Sequence, residues 1–159
     1  MSDTFKVRRA IPSERATLLL LWRGLYQWHH QQCPESIKAP CQEELASEMN
    51  GYFTAPDCML FVVERDQTLC GFISGQLYQL TSPLAKSQYI GSIDHWFIEP
   101  SYQRQGMGYA LLEKLQMEFK AHGVERMDAE VWSFNKGARK SYATLGFNTH
   151  LHCMSKKIE

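Results

Sequence analysis

No hydrophobic run in this chain is long. The longest unbroken apolar stretch is Leu18 to Trp22, flanked by Arg15 and Arg23. A membrane span needs about 20 such residues, so a spanning helix is not expected. The opening residues, Met1-Ser2-Asp3-Thr4, carry no apolar signal region. Neither sign of charge dominates: 17 Lys+Arg stand against 17 Asp+Glu. That balance argues against a nucleic-acid binder working by bulk counterion release. The cysteines are odd in number, five in all (Cys33, Cys41, Cys58, Cys70 and Cys153), with no Cys-x-x-Cys spacing. They cannot pair completely. Zinc usually wants clustered thiolate and imidazole ligands. Here only His29 and His30 lie near Cys33, and adjacent side chains on a helix point in different directions, so no metal is expected. Reduced cysteines used as small hydrophobes suit a reducing compartment. Repeats, low-complexity tracts and linkers are also absent. The expectation is a cytoplasmic protein with no membrane or nucleic-acid partner.

The remainder is a chain of 159 residues, 44% hydrophobic and 21% charged. It is long enough to bury a core as one domain over residues 1–159 and too apolar to stay disordered. Phe5 to Ala10 alternates as a strand. Pro12-Ser13-Glu14 opens a helix running through Leu18–Trp22 to about His29. Pro34 and Pro40 bound a loop. A second helix covers Gln42 to Tyr52, with Leu45, Met49 and Tyr52 at helical spacing. Met59–Glu64 and Thr68–Leu80 read as strands joined by a turn at Arg65-Asp66-Gln67, with Gly71 and Gly75 pointing to kinks or bulges. Tyr89–Ile98 is the next strand. Met107–His122 carries Leu111, Leu112, Leu115 and Phe119 on one side, an amphipathic helix stopped at Gly123. A strand at Arg126–Trp132, a short helix at Lys136–Leu145 and a last strand at Asn148–Lys156 complete the order. This pattern predicts a mixed α/β sheet with helices on both faces. The strands before and after the Met107 helix should be parallel neighbours.

The chemistry concentrates where the Tyr89 strand ends. Pro100 is followed by a loop with two glycines one residue apart, Gly106 and Gly108, and a helix begins at once. Glycine lets a backbone approach a ligand with no Cβ in the way. The first N–H groups of a helix have no internal partners and favour an anion. Gln103 to Gly108 therefore reads as a phosphate or pyrophosphate cradle, to which Arg104 adds a charge. A dinucleotide fingerprint would need a third small residue at position 111, where Leu111 stands. A P-loop would need Gly-Lys-Ser/Thr, and Gly108-Tyr109-Ala110 is not that.

Gln103-Arg104-Gln105-Gly106-Met107-Gly108 resembles the Gln/Arg-x-x-Gly-x-Gly/Ala coenzyme A loop of the GNAT superfamily of N-acetyltransferases. Downstream, Glu130 to Phe147 resembles the second half of that family, with Asn135, Ala138, Tyr142 and Gly146-Phe147 in the usual order. His152 to Lys156 is similar to its closing strand. The motif likeness covers residues 89–158, while the first half agrees only in the order of elements.

The resemblance implies a GNAT fold. Its central mixed sheet would have six to seven strands, helices on both faces and a V-shaped splay between two parallel strands, here Tyr89–Ile98 and Arg126–Trp132. It implies acetyl-CoA as cosubstrate. The main chain at Trp96, Phe97 and Ile98 would bond the pantetheine arm, with one N–H facing the thioester carbonyl; losing such an oxyanion donor typically costs about 3 kcal/mol in barrier. The N–H groups of Gln103, Arg104, Gln105, Gly106, Met107 and Gly108 would hold the pyrophosphate. Asn135 would touch the cofactor arm. Tyr142 matches the usual general acid, placed to donate to a leaving thiolate whose conjugate acid has a pKa near about 8.5. As the alternative, Tyr142 is simply a core aromatic near Phe147.

The base is open at this level. Asp94 lies where some members carry a catalytic Glu or His, and His95 beside it has an ordinary pKa of about 6.5 that suits a base. On a regular strand the two face opposite sides and only one reaches the cleft. A bulge would change which one. Water is the third option. For the acceptor, the first two helices and adjoining segments offer Trp22, Tyr26, Trp28, His29, His30, Tyr52, Phe53, Tyr78 and Gln79. Trp22 and Tyr26, at i and i+4, also read as core. Acidic candidates are Glu35, Glu43, Glu44, Asp94 and Glu99, with no dense cluster. The expected activity is direct transfer of acetyl to a primary amine of a small molecule or peptide in a ternary complex. The alternatives are a longer acyl group, or an idle acyl-CoA-binding sensor on the same fold. A homodimer is compatible, but no segment specifies its interface.

Overall fold

The computed structural model describes residues 4–159. The chain runs β1 (Lys6–Arg9), a 3-10 turn at Pro12–Glu14, α1 (Arg15–Gln32), α2 (Gln42–Thr54), β2 (Cys58–Arg65), β3 (Thr68–Leu80), β4 (Gln88–Ile98), α3 (Met107–Ala121), β5 (Arg126–Ala129) and α4 (Lys136–Thr144). The strands form one sheet in chain order. β1 to β4 are antiparallel neighbours. β5 joins β4 in parallel, as the intervening helix predicts. Asp66 and Gln67 close the β2–β3 hairpin with φ of 50° and 63°, the left-handed pair that matches strand twist in a two-residue turn.

β2 shows how the sheet is covered. Leu60 and Val62 face a core made with Leu18, Trp22, Leu45 and Met49 of α1 and α2. Met59, Phe61 and Val63 face the other way, toward Met107, Leu111, Leu115 and Phe119 of α3. Successive strand residues point to opposite faces, so a strand buried on both sides reads as a continuous apolar run.

Three expectations are corrected. Among the described residues the sheet has five strands, not six to seven. The strand expected over Arg126–Trp132 stops at Ala129 because β4 pairs with it only from Ile90 to Ile93. The strand expected over Asn148–Lys156 does not form: residues 148–159 are exposed and irregular. A strand exists only with a hydrogen-bonded neighbour, and no described segment of this chain lies alongside the tail as one.

Candidate active site

The site begins where β4 loses its neighbour. Ile93 pairs with both Gly75 of β3 and Ala129 of β5. The next β3 residue, Ser74, pairs with His95, so Asp94 is an extra residue, a β-bulge. Beyond it β4 continues to Ile98 with β3 alone, and a cleft opens between β4 and the chain leaving β5. Asp94, His95, Trp96, Glu130, Trp132, Asn135 and Tyr142 are among its walls. On the cleft side, main-chain groups after Ile93 face no strand and stay available to a ligand. Gly75 permits the close fit opposite: a Cβ there would lie 2.6 Å from the Ser92 carbonyl and 2.8 Å from the Phe119 ring.

The bulge overturns the regular-strand expectation that Asp94 and His95 face opposite sides. Both turn toward α1 and α2. Asp94 accepts hydrogen bonds from the Tyr52 hydroxyl at 2.5 Å and the Ser92 hydroxyl at 2.7 Å. His95 lies among Trp22, Tyr26, Tyr52 and Phe72. Its Nε2 is 2.8 Å from Glu48 Oε1 and 3.0 Å from the Tyr26 hydroxyl. With a proton on Nε2 donated to Glu48, Nδ1 accepts from Ser74 Oγ at 2.6 Å. Both nitrogens are therefore engaged within the protein. Ser74 is fully buried, so this Ser-His-Glu row offers no accessible nucleophile.

Glu48 was absent from the acidic candidates. It collects Trp22 Nε1–H at 2.7 Å and Tyr26 O–H at 2.7 Å as well as His95. Burial alone would raise its pKa, but the hydrogen bonds from His95, Tyr26 and Trp22 hold the carboxyl down at about 2. A sequence signal existed. Leu45, Met49 and Tyr52 define the inward stripe of α2, and Glu48 lies on that stripe, three residues after Leu45 and four before Tyr52. Trp22 packs in the core as expected, stacked on Phe72 at 4.6 Å. Tyr26 instead sends its hydroxyl to the network. Tyr52 has its phenol pushed up by burial and by Asp94.

The opposite wall carries Tyr142 on α4. Its ring sits 5.2 Å from Trp96 and 4.9 Å from Phe147. Burial pushes its phenol pKa well above the usual tyrosine value, and no hydrogen bond from its hydroxyl occurs among the described residues. Asn135 accepts the Ala138 N–H at 3.1 Å and so caps α4. Its side-chain oxygen is thus committed to structure, although the residue lines the cleft.

The loop before α3 is built by backbone. Arg104 and Gly106 have φ of 62° and 85°, which turns successive N–H groups the same way. Gln103 N–H bonds Pro100 O at 3.4 Å, and the first helical return is Ala110 N–H to Gly106 O at 3.1 Å. The N–H groups between, from Arg104 to Tyr109, have no acceptor among the described residues, and no side chain caps the helix. A Cβ at Gly106 would meet nothing within 4 Å. Side chains around the loop serve to hold it. Gln103 Nε2 donates to Ile98 O at 2.9 Å, Arg65 donates to Gln105 at 2.6 Å, and buried Met107 anchors the turn. The Trp96 indole donates to Gly108 O at 3.0 Å. Phe97 packs on Phe72, away from the cleft, leaving only its main chain for a ligand. A row of unpaired amides at a helix start fits a diphosphate.

The sequence profile of the family described as "Acetyltransferase (GNAT) family" matches residues 22–147. The chain belongs to the GNAT acetyltransferase family. With the family comes the activity class, acetyl-CoA-dependent N-acetyltransferase. Among curated GNAT relatives, an aminoglycoside N(6')-acetyltransferase type 1 of Klebsiella aerogenes is 24% identical over 139 residues, covering 82% of this chain and 89% of the relative. The Escherichia coli K12 ribosomal protein bS18 alanine N-acetyltransferase is 47% identical over 51 residues, which is 32% of this chain and 34% of the relative. A mutant Bacillus halodurans protein superposes with a TM-score of 0.90 over 97% of this chain and 99% of its own, at 16% identity. An aminoglycoside N-acetyltransferase solved with coenzyme A gives 0.75 over 98% and 95%, at 17% identity. Those two likenesses concern the fold.

His29, His30 and Cys33 do not converge in this GNAT chain. His29 Nδ1 goes to Leu25 O, His30 Nδ1 to Ile37 O, and Cys33 to Glu35. Among the described residues no three His, Cys, Asp or Glu side chains gather as a metal site. No described helix is long and apolar enough to cross a membrane.

Proposed function

We propose that this protein moves an acetyl group from acetyl-CoA to a primary amine of a small molecule or peptide, by direct attack in a ternary complex. The unpaired amide row from Arg104 to Tyr109 is the observation that carries the reading. It would grip the diphosphate, with Gln103 bracing the end of β4. The open main chain of Trp96 to Ile98 would hold the pantetheine arm and present an N–H to the thioester carbonyl. Asn135 would border that arm. Asp94, on the α2 side, would take the proton that the amine loses as the new C–N bond forms, directly or through water. His95 already has both nitrogens occupied and would instead fix the Glu48 side of the acceptor pocket. As the C–S bond breaks, Tyr142 would donate a hydrogen bond, and then the proton, to the departing sulfur.

Two carboxylates, Glu48 and Asp94, lie within one aromatic group of Trp22, Tyr26 and Tyr52. That chemistry favours a small cationic acceptor, held by charge and by ring faces. The Klebsiella relative's named substrate class is one such acceptor. The test is a thiol-release screen with acetyl-CoA against aminoglycosides, simple diamines and N-terminal peptides. Turnover is expected with a cationic amine and not with its hydroxyl isostere. Silence across the panel, with no binding of coenzyme A, would reject the reading.

A further inference from the structure

Turning an ammonium into an amide removes two protons from the nitrogen. One leaves before the attack, because only a neutral amine has a lone pair for the thioester carbon. The other leaves as the C–N bond forms, and Asp94 takes that one. The first has no taker among Asp94, Tyr142 and the main chain. Most polar side chains of the cleft are already engaged. Both Asp94 oxygens accept hydrogen bonds, from Ser92 and from Tyr52. Both His95 nitrogens are occupied, and the Asn135 oxygen caps α4. The Trp96 indole is on Gly108 O, and the Trp132 indole can only donate. Tyr142 gives its proton to sulfur. Two groups in the cleft wall remain, the Glu130 carboxylate, exposed on the chain after β5, and His29 of α1.

His29 is set up as a proton acceptor. Its Nδ1 lies 2.8 Å from Leu25 O, one turn back on α1. A carbonyl only accepts, so in the neutral ring Nδ1 carries the proton and Nε2 carries the lone pair. Nε2 has no hydrogen-bond partner among the described residues. The half-buried ring is held edge-on by Trp28, centroids 5.0 Å apart, and by Phe134 at 5.9 Å. Its orientation is therefore fixed before an acceptor arrives. Phe134 belongs to the chain after β5, so α1 meets the opposite wall of the cleft through this imidazole. An imidazole also holds a proton more tightly than a carboxylate such as Glu130.

We propose that His29 is a second catalytic base, whose Nε2 takes the first proton from the incoming ammonium, directly or through one water, and releases it to solvent. The lone pair so freed attacks the thioester carbon. Asp94 takes the second proton as the C–N bond forms, and Tyr142 gives one to sulfur as the C–S bond breaks. Return of the Asp94 proton to Tyr142 through solvent closes the cycle, with one proton released for each acetyl group moved. The titratable groups that share the cleft with the imidazole are Asp94 and His95 of β4, Glu130 after β5 and Tyr142 of α4. No lysine or arginine is among the described residues of its wall, so no fixed cation competes with the ammonium there.

This step rests on the acetyl-transfer reading, and the experiment separates the two. The acceptors are 1,4-diaminobutane and kanamycin, with acetyl-CoA as donor and thiol release as the readout. At pH 7, His29→Ala should lower kcat/KM for the amine about 10²-fold, with coenzyme A affinity nearly unchanged. At pH 9.5 the deficit should fall to within about threefold, because the neutral share of a lysine-like amine is then roughly 300-fold larger and needs no first base. His29→Gln keeps an acceptor oxygen but no base, and should behave like His29→Ala. A native-like rate in either variant overturns the proposal. So does a deficit of equal size at both pH values, which would leave His29 a wall of the pocket. If His29→Ala does not fold, His29→Gln carries the same comparison. A native chain silent on both amines rejects the cationic-acceptor reading, and this step with it.

Discussion

At the residue scale, Tyr142 presents a hydroxyl with no protein partner to a cleft it shares with Asp94. A phenol raised above its usual pKa by burial stays protonated through the neutral range. It is therefore a hydrogen-bond donor whenever the leaving sulfur arrives. Tyr142→Phe should lower kcat about 10²-fold with little change in coenzyme A affinity. Steady-state rates and calorimetry check this, and an unchanged kcat leaves Tyr142 a packing residue. Asp94→Asn should lower kcat/KM for the acceptor amine, and an unchanged value points to water as the base. Glu48 makes a prediction of a different kind. Its carboxyl sits at about 2 in the folded chain, below the ordinary value of about 4.3. The contribution is full above the ordinary value and is lost as pH falls through about 2. Urea midpoints should drop more between pH 4 and pH 2 for the native chain than for Glu48→Gln. Equal slopes would show that the Glu48 bonds add nothing to folding. Asp94 and Tyr142 both line the cleft, Tyr142 from α4 and Asp94 from the bulge. The place of Glu48 on the inward stripe of α2 was legible, but its pairing with His95 was not, because that pairing depends on the bulge, and bulges are set by the register between strands.

At the scale of elements, the helices and the first four strands declared themselves locally, and the two strands expected after α3 did not do so in full. The stripe Leu111, Leu115, Phe119 needs only α3 itself to be read, and α3 forms as expected. The extent of β5 depends on how long β4 stays beside it, and the Asp94 bulge ends that contact after Ile93. The tail has no strand beside it among the described residues. The loop before α3 was legible as a two-glycine turn, but the reason for each glycine differs. Gly106 is needed for its φ of 85°, with open space around it. Gly106→Ala should thus cost about 1 kcal/mol through backbone strain alone. Because the same strain rotates the amide row, coenzyme A affinity should fall in parallel. Denaturant titration and calorimetry on the one variant read both effects. A loss of stability with affinity retained would separate the turn from the cradle.

At the scale of the whole molecule, the amide row sits at the junction between the sheet and α3, and α3 covers one face of the core. Ligand held there is held by the folded state only, since the unfolded chain has no ordered N–H row. At a coenzyme A concentration 100 times its dissociation constant, stability should rise by about 2.7 kcal/mol. For a chain of this size that corresponds to a Tm increase of roughly 5–11 °C. The chemistry of the grip can be separated from simple occupancy of the cleft. Pantetheine fills the space between β4 and the chain after β5 but has no diphosphate, so it should raise Tm far less at equal concentration. Arg104 is exposed, and an exposed side-chain charge adds little beside backbone dipoles in a fixed arrangement. Arg104→Ala should therefore keep most of the coenzyme A shift. If pantetheine matches coenzyme A, the main-chain amides are not what holds the cosubstrate. If Arg104→Ala abolishes the shift, the grip is a side-chain charge, and Arg104 rather than the backbone of α3 governs affinity.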